Sequence, residues 1–306
     1  MPRSPYVLAA LLSAALPAAR PVRARLLESD GDLDEAVVED AGGRSWVVRA
    51  PRRAAGGASL EREVELLTAL RATPHAALPF RVPDVAGSAP LPEGGRALVQ
   101  PWPPGAPLDP AALIPGPGAA ASLGRALAAV HELPASIVED AGLPVYEAAD
   151  YRDRRLSELD RAAATGEVPS RLLGRWERAL EDVGRWRFPP AVVHGDLVED
   201  HVLVDVDGEV TAVLAWGEAK VADPADDFAW LAAGASEEAF ESVLESYALA
   251  RADIPDRHLA QRARLAGELA LTRWLLHGVH TGDAEVVADA ARMLSDLDLA
   301  TGEDRL

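Results

Sequence analysis

The sequence predicts an α+β chain of two lobes, a small antiparallel sheet with one long helix and then a larger, mostly helical lobe. Three observations carry that prediction. Three short β-like runs, separated by turns rich in Gly and Asp, precede a helix-periodic run at 59–70. Residues 101–118 are dense in Pro and Gly, which marks a connector. Beyond them nearly every segment has helical spacing, interrupted by one short strand and one hairpin. The expected division is a lobe over 1–100 with a leading helix, a connector over 101–118, and a helical lobe over 119–306.

Each element has a local reason. Ser4 is placed to cap a helix with Pro5 at its first position, and Pro17 closes it. The same stretch has the outline of a short secretory signal, but its basic tip is a single Arg, and the helix reading is preferred. Residues 23–27, 35–39 and 46–50 read as strands, with Ala41-Gly42-Gly43 as a hairpin turn and Pro51 as the end of the third. Ser59 is expected to cap a helix over 59–70, in which Leu60, Val64 and Leu67 share a face and Glu61 and Glu63 lie early. Residues 83–85 and 97–100 suggest two further strands. Helices are expected over 118–133, 151–164, 170–186, 227–233, 237–250, 256–277 and 284–297. Residues 191–193 read as a buried strand, and 202–206 with 210–214 as a hairpin around Asp207-Gly208.

Composition narrows the function classes. The 306-residue chain has a formal net charge of −19. Nucleic acids are bound by neutralising phosphates with Lys and Arg, so this balance argues against such a partner and suits a cationic small molecule. Solubility alone is the simpler account of the acidity. There is no cysteine, hence no disulfide framework and no thiolate metal site, which fits a cytoplasmic protein. No apolar run is long enough to span a bilayer. Lys220 is the only lysine, so roles that lysine fills elsewhere fall to Arg.

The densest chemistry lies in Val193-His194-Gly195-Asp196-Leu197, followed by His201 and by Trp216-Gly217-Glu218-Ala219. It reads as strand, loop, hairpin and second acidic loop, the layout of a phosphoryl-transfer site. Such a reaction needs an acceptor hydroxyl held in line and its proton accepted, which one positioned Asp can do. Asp196 is that candidate, with Gly195 allowing a sharp turn and His194 bracing the loop. A capped surface turn is the bland alternative. His201 is a candidate metal ligand or phosphate contact, although Mg²⁺ prefers oxygen donors. Asp223 and Asp227 are expected to cap the next helix or brace the loop. In the small lobe, Arg49 on the third strand and Glu63 on the helix form a candidate phosphate-binding pair, and Gln100 ends the strand before the connector. Arg52, Arg53 and Glu61 are the alternatives. The turn Ser29-Asp30-Gly31-Asp32 lies where a phosphate-covering loop would be, but it is acidic and holds one Gly.

Together these residues resemble the aminoglycoside phosphotransferase superfamily, which has the two-lobed protein-kinase-like fold. The resemblance rests on His194-Gly195-Asp196-Leu197, the hairpin after it, and Asp223-Pro224 with Asp227. Within it, the narrower resemblance is to the macrolide 2′-phosphotransferases. His201 stands where Asn is usual, Trp46-Val47-Val48-Arg49-Ala50-Pro51-Arg52 looks like their Arg-bearing third strand, and residues 216–223 are similar to their metal-loop segment. The resemblance implies transfer of a γ-phosphate from GTP or ATP to the 2′-hydroxyl of a macrolide amino sugar, with Mg²⁺. It makes Asp196 the base, with His194 beside it, and gives Arg49, Glu63 and Gln100 to the nucleotide. It places His201 and an acid before Trp216 on the metal. Trp230, Trp274 and His277 fall among helices expected to form the substrate wall, with core packing the simpler role. The departure is Ala215, which occupies the position of that acid. Three readings stay open: a weakened or silent homologue that binds ligand, a neighbouring acid such as Glu218 in its place, or a substitution introduced on purpose. A kinase of an endogenous metabolite is the remaining alternative.

Overall fold

The computed structural model describes residues 2–27, 32–72, 78–254 and 256–303. The chain begins with α1 (Pro5–Ala15), β1 (Pro21–Leu26), β2 (Leu33–Asp40), β3 (Ser45–Pro51), α2 (Ala54–Ala72), β4 (Gly87–Pro90), β5 (Arg96–Pro101) and β6 (Ala106–Pro107). It continues with α3 (Ala119–His131), α4 (Ser136–Asp140), α5 (Ala148–Ala163), α6 (Ser170–Glu181), β7 (Ala191–Val193), β8 (Val202–Val204), β9 (Val210–Val213) and β10 (Lys220–Ala222). Four helices close it: α7 (Ala229–Gly234), α8 (Glu237–Ala250), α9 (Leu259–Thr281) and α10 (Ala284–Glu303).

The described chain divides into two compact units. The first comprises Met1–Leu108, Ser136–Leu143 and Val198–Ala219; the second comprises Asp109–Ala135, Pro144–Leu197 and Lys220–Leu306.

Unit one is built on a five-stranded antiparallel sheet in the order β1-β2-β3-β5-β4. α1 forms as expected, with the Ser4 hydroxyl accepting from Val7 N at 3.4 Å and Pro5 in the first turn. Its Leu8 and Leu12 are fully buried against Ala36 and Val38 of β2, Val48 and Ala50 of β3, and Val99 of β5. Side chains alternate along a strand, so β3 turns Arg49 to the face opposite Val48 and Ala50. The hairpin turn between β2 and β3 is held by Asp40, whose carboxylate accepts from Gly42 N, Arg44 N and the Trp46 indole. A separate three-stranded sheet, β6-β8-β9, completes the unit.

Several local expectations change here. α2 starts at Ala54, five residues before Ser59, and runs through Gly56-Gly57. The close approach of backbone explains Gly56, since a Cβ there would lie 2.7 Å from the Asp32 carbonyl oxygen. The strand expected at 83–85 forms instead at β4, where residues 87–90 pair with β5. Pro83 lacks the N–H that a ladder needs. The loop after β8 is longer than a two-residue hairpin, because the Asp205 carboxylate accepts from Asp207 N and Glu209 N and rounds the turn. The acidic turn expected at 29–32 lies largely outside the described residues.

Unit two is helical around one two-stranded ribbon, β7 paired antiparallel with β10. Trp176 and Leu180 of α6, Leu159 of α5, Leu269 and Leu275 of α9 and Leu294 of α10 form its core, with Val193 and Ala222 contributed by the ribbon. α3 and α8 pack closely at Gly124, where a Cβ would meet the Val243 carbonyl at 2.6 Å. α6 ends at Glu181, earlier than periodicity implied, and Asp182 begins a separate turn at Val183–Trp186 by accepting from Gly184 N.

Candidate active site

The catalytic-loop candidate belongs to unit two. β7 ends at Val193, and the chain turns at Gly195 with φ of +78°, a conformation glycine adopts without strain. Two successive backbone amides are then clamped by one carboxylate. His194 N donates to Asp227 Oδ2 at 2.9 Å and Gly195 N donates to Asp227 Oδ1 at 2.8 Å. Asp227 Oδ2 is also bonded to His131 Nε2 at 3.1 Å, and His131 Nδ1 to the Tyr247 hydroxyl at 2.8 Å. His194, Asp227 and the His131 ring are buried. Burial alone would raise the Asp227 pKa, but the bonds from His131 and Gly195 outweigh it and hold the carboxyl below its ordinary value.

The imidazole of His194 turns back on the loop, where its Nδ1 accepts from Asp196 N at 3.3 Å. His194 is therefore a brace. Leu197 is buried while Asp196 is exposed, so the loop is pinned on both sides of a carboxylate that faces solvent. Lys220, at the start of β10, donates its ammonium to the Gly195 carbonyl at 3.4 Å.

The two acids near Asp227 take structural parts. Asp223 caps the helical turn Pro224–Phe228 by accepting from Ala225 N at 3.0 Å, and Arg262 grips it with Nε at 2.7 Å and Nη2 at 3.0 Å. Burial pushes the Asp223 carboxyl up, against the pull of Arg262. Asp226 accepts from Arg155 at 2.8 Å and from the Tyr151 hydroxyl. Trp274 and His277 stack in parallel with ring centres 5.6 Å apart, and Trp274 packs on the unit-two core.

Unit one holds the remaining candidates. Arg49 Nη1 donates to both oxygens of Glu63 at 2.7 Å, and its Nε donates to Glu35 at 2.6 Å. The structure separates the alternatives: Glu61 binds Arg96 at 2.7 and 2.8 Å, Arg52 binds Asp34, and Arg53 lies 3.8 Å from Asp32. Burial disfavours the Arg49 charge, and the attraction of Glu63 and Glu35 reverses that and raises its pKa. Gln100, on β5, is buried, and its Nε2 has no hydrogen-bond partner.

The acidic loop lies against this ion pair. A Cβ on Gly217 would sit 3.5 Å from Glu63 Oε2. Trp216 anchors the loop from below, fully buried, its indole donating to the Val213 carbonyl at 2.9 Å and stacking on Phe80. Leu214 N donates to the His201 carbonyl at 2.8 Å, so His201 and Ala215 leave the same end of the β8-β9 hairpin. Ala215 has φ of 61° and ψ of 55°, and it is the one non-glycine residue of positive φ among the described residues. Asp and Asn adopt this left-handed conformation more readily than Ala, because their short polar side chains bond locally.

Ala215 offers a methyl group where a ligand atom is expected. Among the described residues no group of three or more His, Asp or Glu side chains is arranged to hold a metal ion. His201 and the exposed Glu218 are the donors this end of the hairpin retains, an incomplete set for Mg²⁺.

Two participants escaped the sequence. His131 falls within the helix expected over 118–133 with no role assigned, though a polar residue on the buried stripe of α3 needs a partner. Glu35 faces Arg49 across the hairpin, a pairing that follows from counting equally outward from Gly42.

Comparison with known proteins settles the family. A model of the phosphotransferase enzyme family matches residues 23–265. The chain belongs to the phosphotransferase enzyme family. This phosphotransferase is 30% identical to a macrolide 2′-phosphotransferase of Brachybacterium faecium, whose crystal structure superposes with a TM-score of 0.78, covering 94% of this chain and 97% of that one. It is 31% identical to the viomycin phosphotransferase of Streptomyces vinaceus, over 72% of this chain and 77% of the relative. An APH(2″) enzyme solved with GDP and kanamycin, 19% identical, shares the fold with a TM-score of 0.77 over 94% of this chain and 96% of that one. The kinase-like fold, an antiparallel-sheet lobe followed by a helical lobe, is thereby shown. Among the described residues no helix is long and apolar enough to cross a membrane.

Proposed function

We propose that this phosphotransferase moves the γ-phosphate of GTP or ATP to a hydroxyl of a cationic small molecule in the cytoplasm, with the 2′-hydroxyl of a macrolide amino sugar as the acceptor. The observation that carries the reading is the exposed Asp196 carboxylate on a loop whose preceding amides are clamped by buried Asp227. Asp196 accepts the proton of the acceptor hydroxyl, that oxygen bonds to the γ-phosphorus, and the bond to the β-phosphate oxygen breaks to release the nucleoside diphosphate. His194 holds the loop in shape. Arg49, oriented by Glu63, supplies positive charge to the phosphates, and Gln100 is assigned to the nucleotide beside it. Similarity to a macrolide 2′-phosphotransferase at 30% identity supports the acceptor, and the net charge of −19 suits a dimethylamino sugar. His201 and Glu218 are the donors left for the expected magnesium ion.

Ala215 favours a second reading, a binding protein that holds nucleotide or antibiotic without efficient transfer. Mass spectrometry of erythromycin incubated with GTP or ATP and Mg²⁺ separates the two, comparing the chain with Ala215→Asp. Transfer by the unchanged chain supports the phosphotransferase reading, and transfer by Ala215→Asp alone assigns this chain to binding. Absence of product from both forms across macrolides and aminoglycosides refutes it.

A further inference from the structure

The chain holds a single lysine, and the fold sets it against the loop that carries Asp196. Lys220 opens β10 opposite Val193, the last residue of β7. Its half-buried stem carries the ammonium to the Gly195 carbonyl at 3.4 Å, two residues past Val193. The same charge acts on Asp226. Burial would raise the Asp226 carboxyl, and the attraction of Arg155 and then of Lys220 holds it below its ordinary value. Asp226 in turn accepts from Arg155 and Tyr151 of α5. Lys220 therefore couples the loop to a network anchored on α5.

The carbonyl that Lys220 holds belongs to the peptide group joining Gly195 to Asp196. The N–H of the same group donates to His194 Nδ1 at 3.3 Å, so this plane is held at both ends. The two N–H groups before it are taken by Asp227 at 2.9 and 2.8 Å, and Leu197 after it is buried. A peptide group is rigid and planar, so with both flanks pinned the remaining freedom is rotation of this one plane. Glycine restricts that rotation least, having no Cβ, and Gly195 is already at φ of +78°. The orientation of the plane sets the direction in which the Asp196 side chain leaves the backbone.

The ribbon does not account for a lysine at this position. Residue 220 pairs with β7 through its backbone, which any ordinary side chain allows. Its side chain serves the loop instead, and the residue type suits the task. An ammonium is a compact charge on a flexible stem and fits a single carbonyl oxygen, whereas the rigid fork of a guanidinium fits a carboxylate or phosphate. A charged donor also makes a stronger bond than a neutral one of equal geometry.

We propose that Lys220 is a positioning residue for phosphoryl transfer: its ammonium fixes the peptide plane between Gly195 and Asp196 and thereby aims the Asp196 carboxylate at the acceptor hydroxyl. The inference rests on the reading of Asp196 as the base. A misaimed base slows proton transfer without touching any ligand contact, so the effect belongs in kcat.

The test uses the full chain, in whichever of the unchanged and Ala215→Asp forms transfers phosphate. Lys220→Met is expected to lower kcat by about tenfold or more, while KM for nucleotide and acceptor stays within about twofold and the melting midpoint moves by a few degrees at most. Lys220→Arg is expected to recover part of the loss, since a cation with N–H donors remains. Selective labelling gives a reading that needs no turnover. The chain has Gly-Asp pairs only at 31–32, 195–196 and 282–283, so glycine labelled at the carbonyl carbon and aspartate labelled at nitrogen mark those peptide groups alone. Asp196→Asn identifies the resonance of 195–196, and that resonance is expected to move in Lys220→Met. Where Lys220→Met does not fold, amine-specific acetylation of the folded chain decides the matter. It reaches Lys220 and the terminal amine alone, and treatment is expected to lower kcat of the parent and not of Lys220→Arg. An unmoved resonance, or a kcat within about twofold of the parent, overturns the proposal. A loss carried wholly by KM overturns it as well, because Lys220 then contacts a ligand. Absence of product from both forms overturns it together with the reading of Asp196, which product with an unmoved resonance leaves standing.

Discussion

Asp227→Asn isolates the clamp on the catalytic loop. The native carboxylate accepts three bonds: His194 N and His131 Nε2 on Oδ2, and Gly195 N on Oδ1. An asparagine has one oxygen and one NH₂ group. Its better orientation keeps the oxygen toward His194 and His131 and sets NH₂ against the Gly195 N–H. One buried amide then loses its acceptor, at about 1–3 kcal/mol, and the two remaining bonds lose their charge assistance, at roughly 1 kcal/mol together. Relief from burying a charge offsets part of this. The net expectation is about 1–3 kcal/mol of lost stability, or roughly 2–12 °C in the melting midpoint of a unit this size. Calorimetry measures it. Where phosphoryl transfer is detectable, kcat is expected to fall more than KM rises, because Asp196 is displaced and ligand contacts are not. A midpoint within 1 °C of the parent chain would refute the clamp as a stabilising device. An unchanged kcat in a destabilised variant would separate loop geometry from catalysis.

Three further outcomes follow from the same geometry. Ala215→Gly removes the left-handed strain at the hairpin end and is expected to stabilise the chain by about 0.5–1 kcal/mol in urea unfolding, whereas Ala215→Val is expected to destabilise it. Glu63→Ala leaves Arg49 with Glu35 alone in a buried setting, and a loss of about 3 kcal/mol is expected by the same measurement, with Glu61→Ala close to neutral. Asp40 is held at a pKa of about 2, first by the Arg44 N–H and then by the Trp46 indole. Its folded pKa lies below the ordinary value of about 3.9, so its contribution is complete above that value and is lost as pH falls toward 2. The Trp46 indole N–H resonance is expected to shift over that interval, and an unchanged resonance from pH 5 to pH 2 would refute the bond.

The sequence by itself determined the local and the periodic. Ser4 and Pro5 start α1, the turn at Ala41-Gly42-Gly43 sets the register of β2 on β3, and that register turns Arg49 away from the α1 face. Gly195 before Asp196, and Asp223 before Pro224, could be read from conformational freedom and capping alone. The start of α2 could not, because Gly56-Gly57 has poor helix propensity and only close packing on the Asp32 backbone accounts for it. Tertiary structure also decided which charges meet. Glu61 and Glu63 are equivalent in sequence, yet the second reaches Arg49 and the first Arg96, since two residues along a helix turn a side chain by about 200°. Asp227 meets His194 across 33 residues and His131 across 96, distances at which no local pattern acts. The left-handed backbone at Ala215 is the clearest case. The residue type forecasts an ordinary helix former, and only the packed hairpin, pinned by the bond from Leu214 to His201 and by buried Trp216, holds it in a conformation its own side chain disfavours.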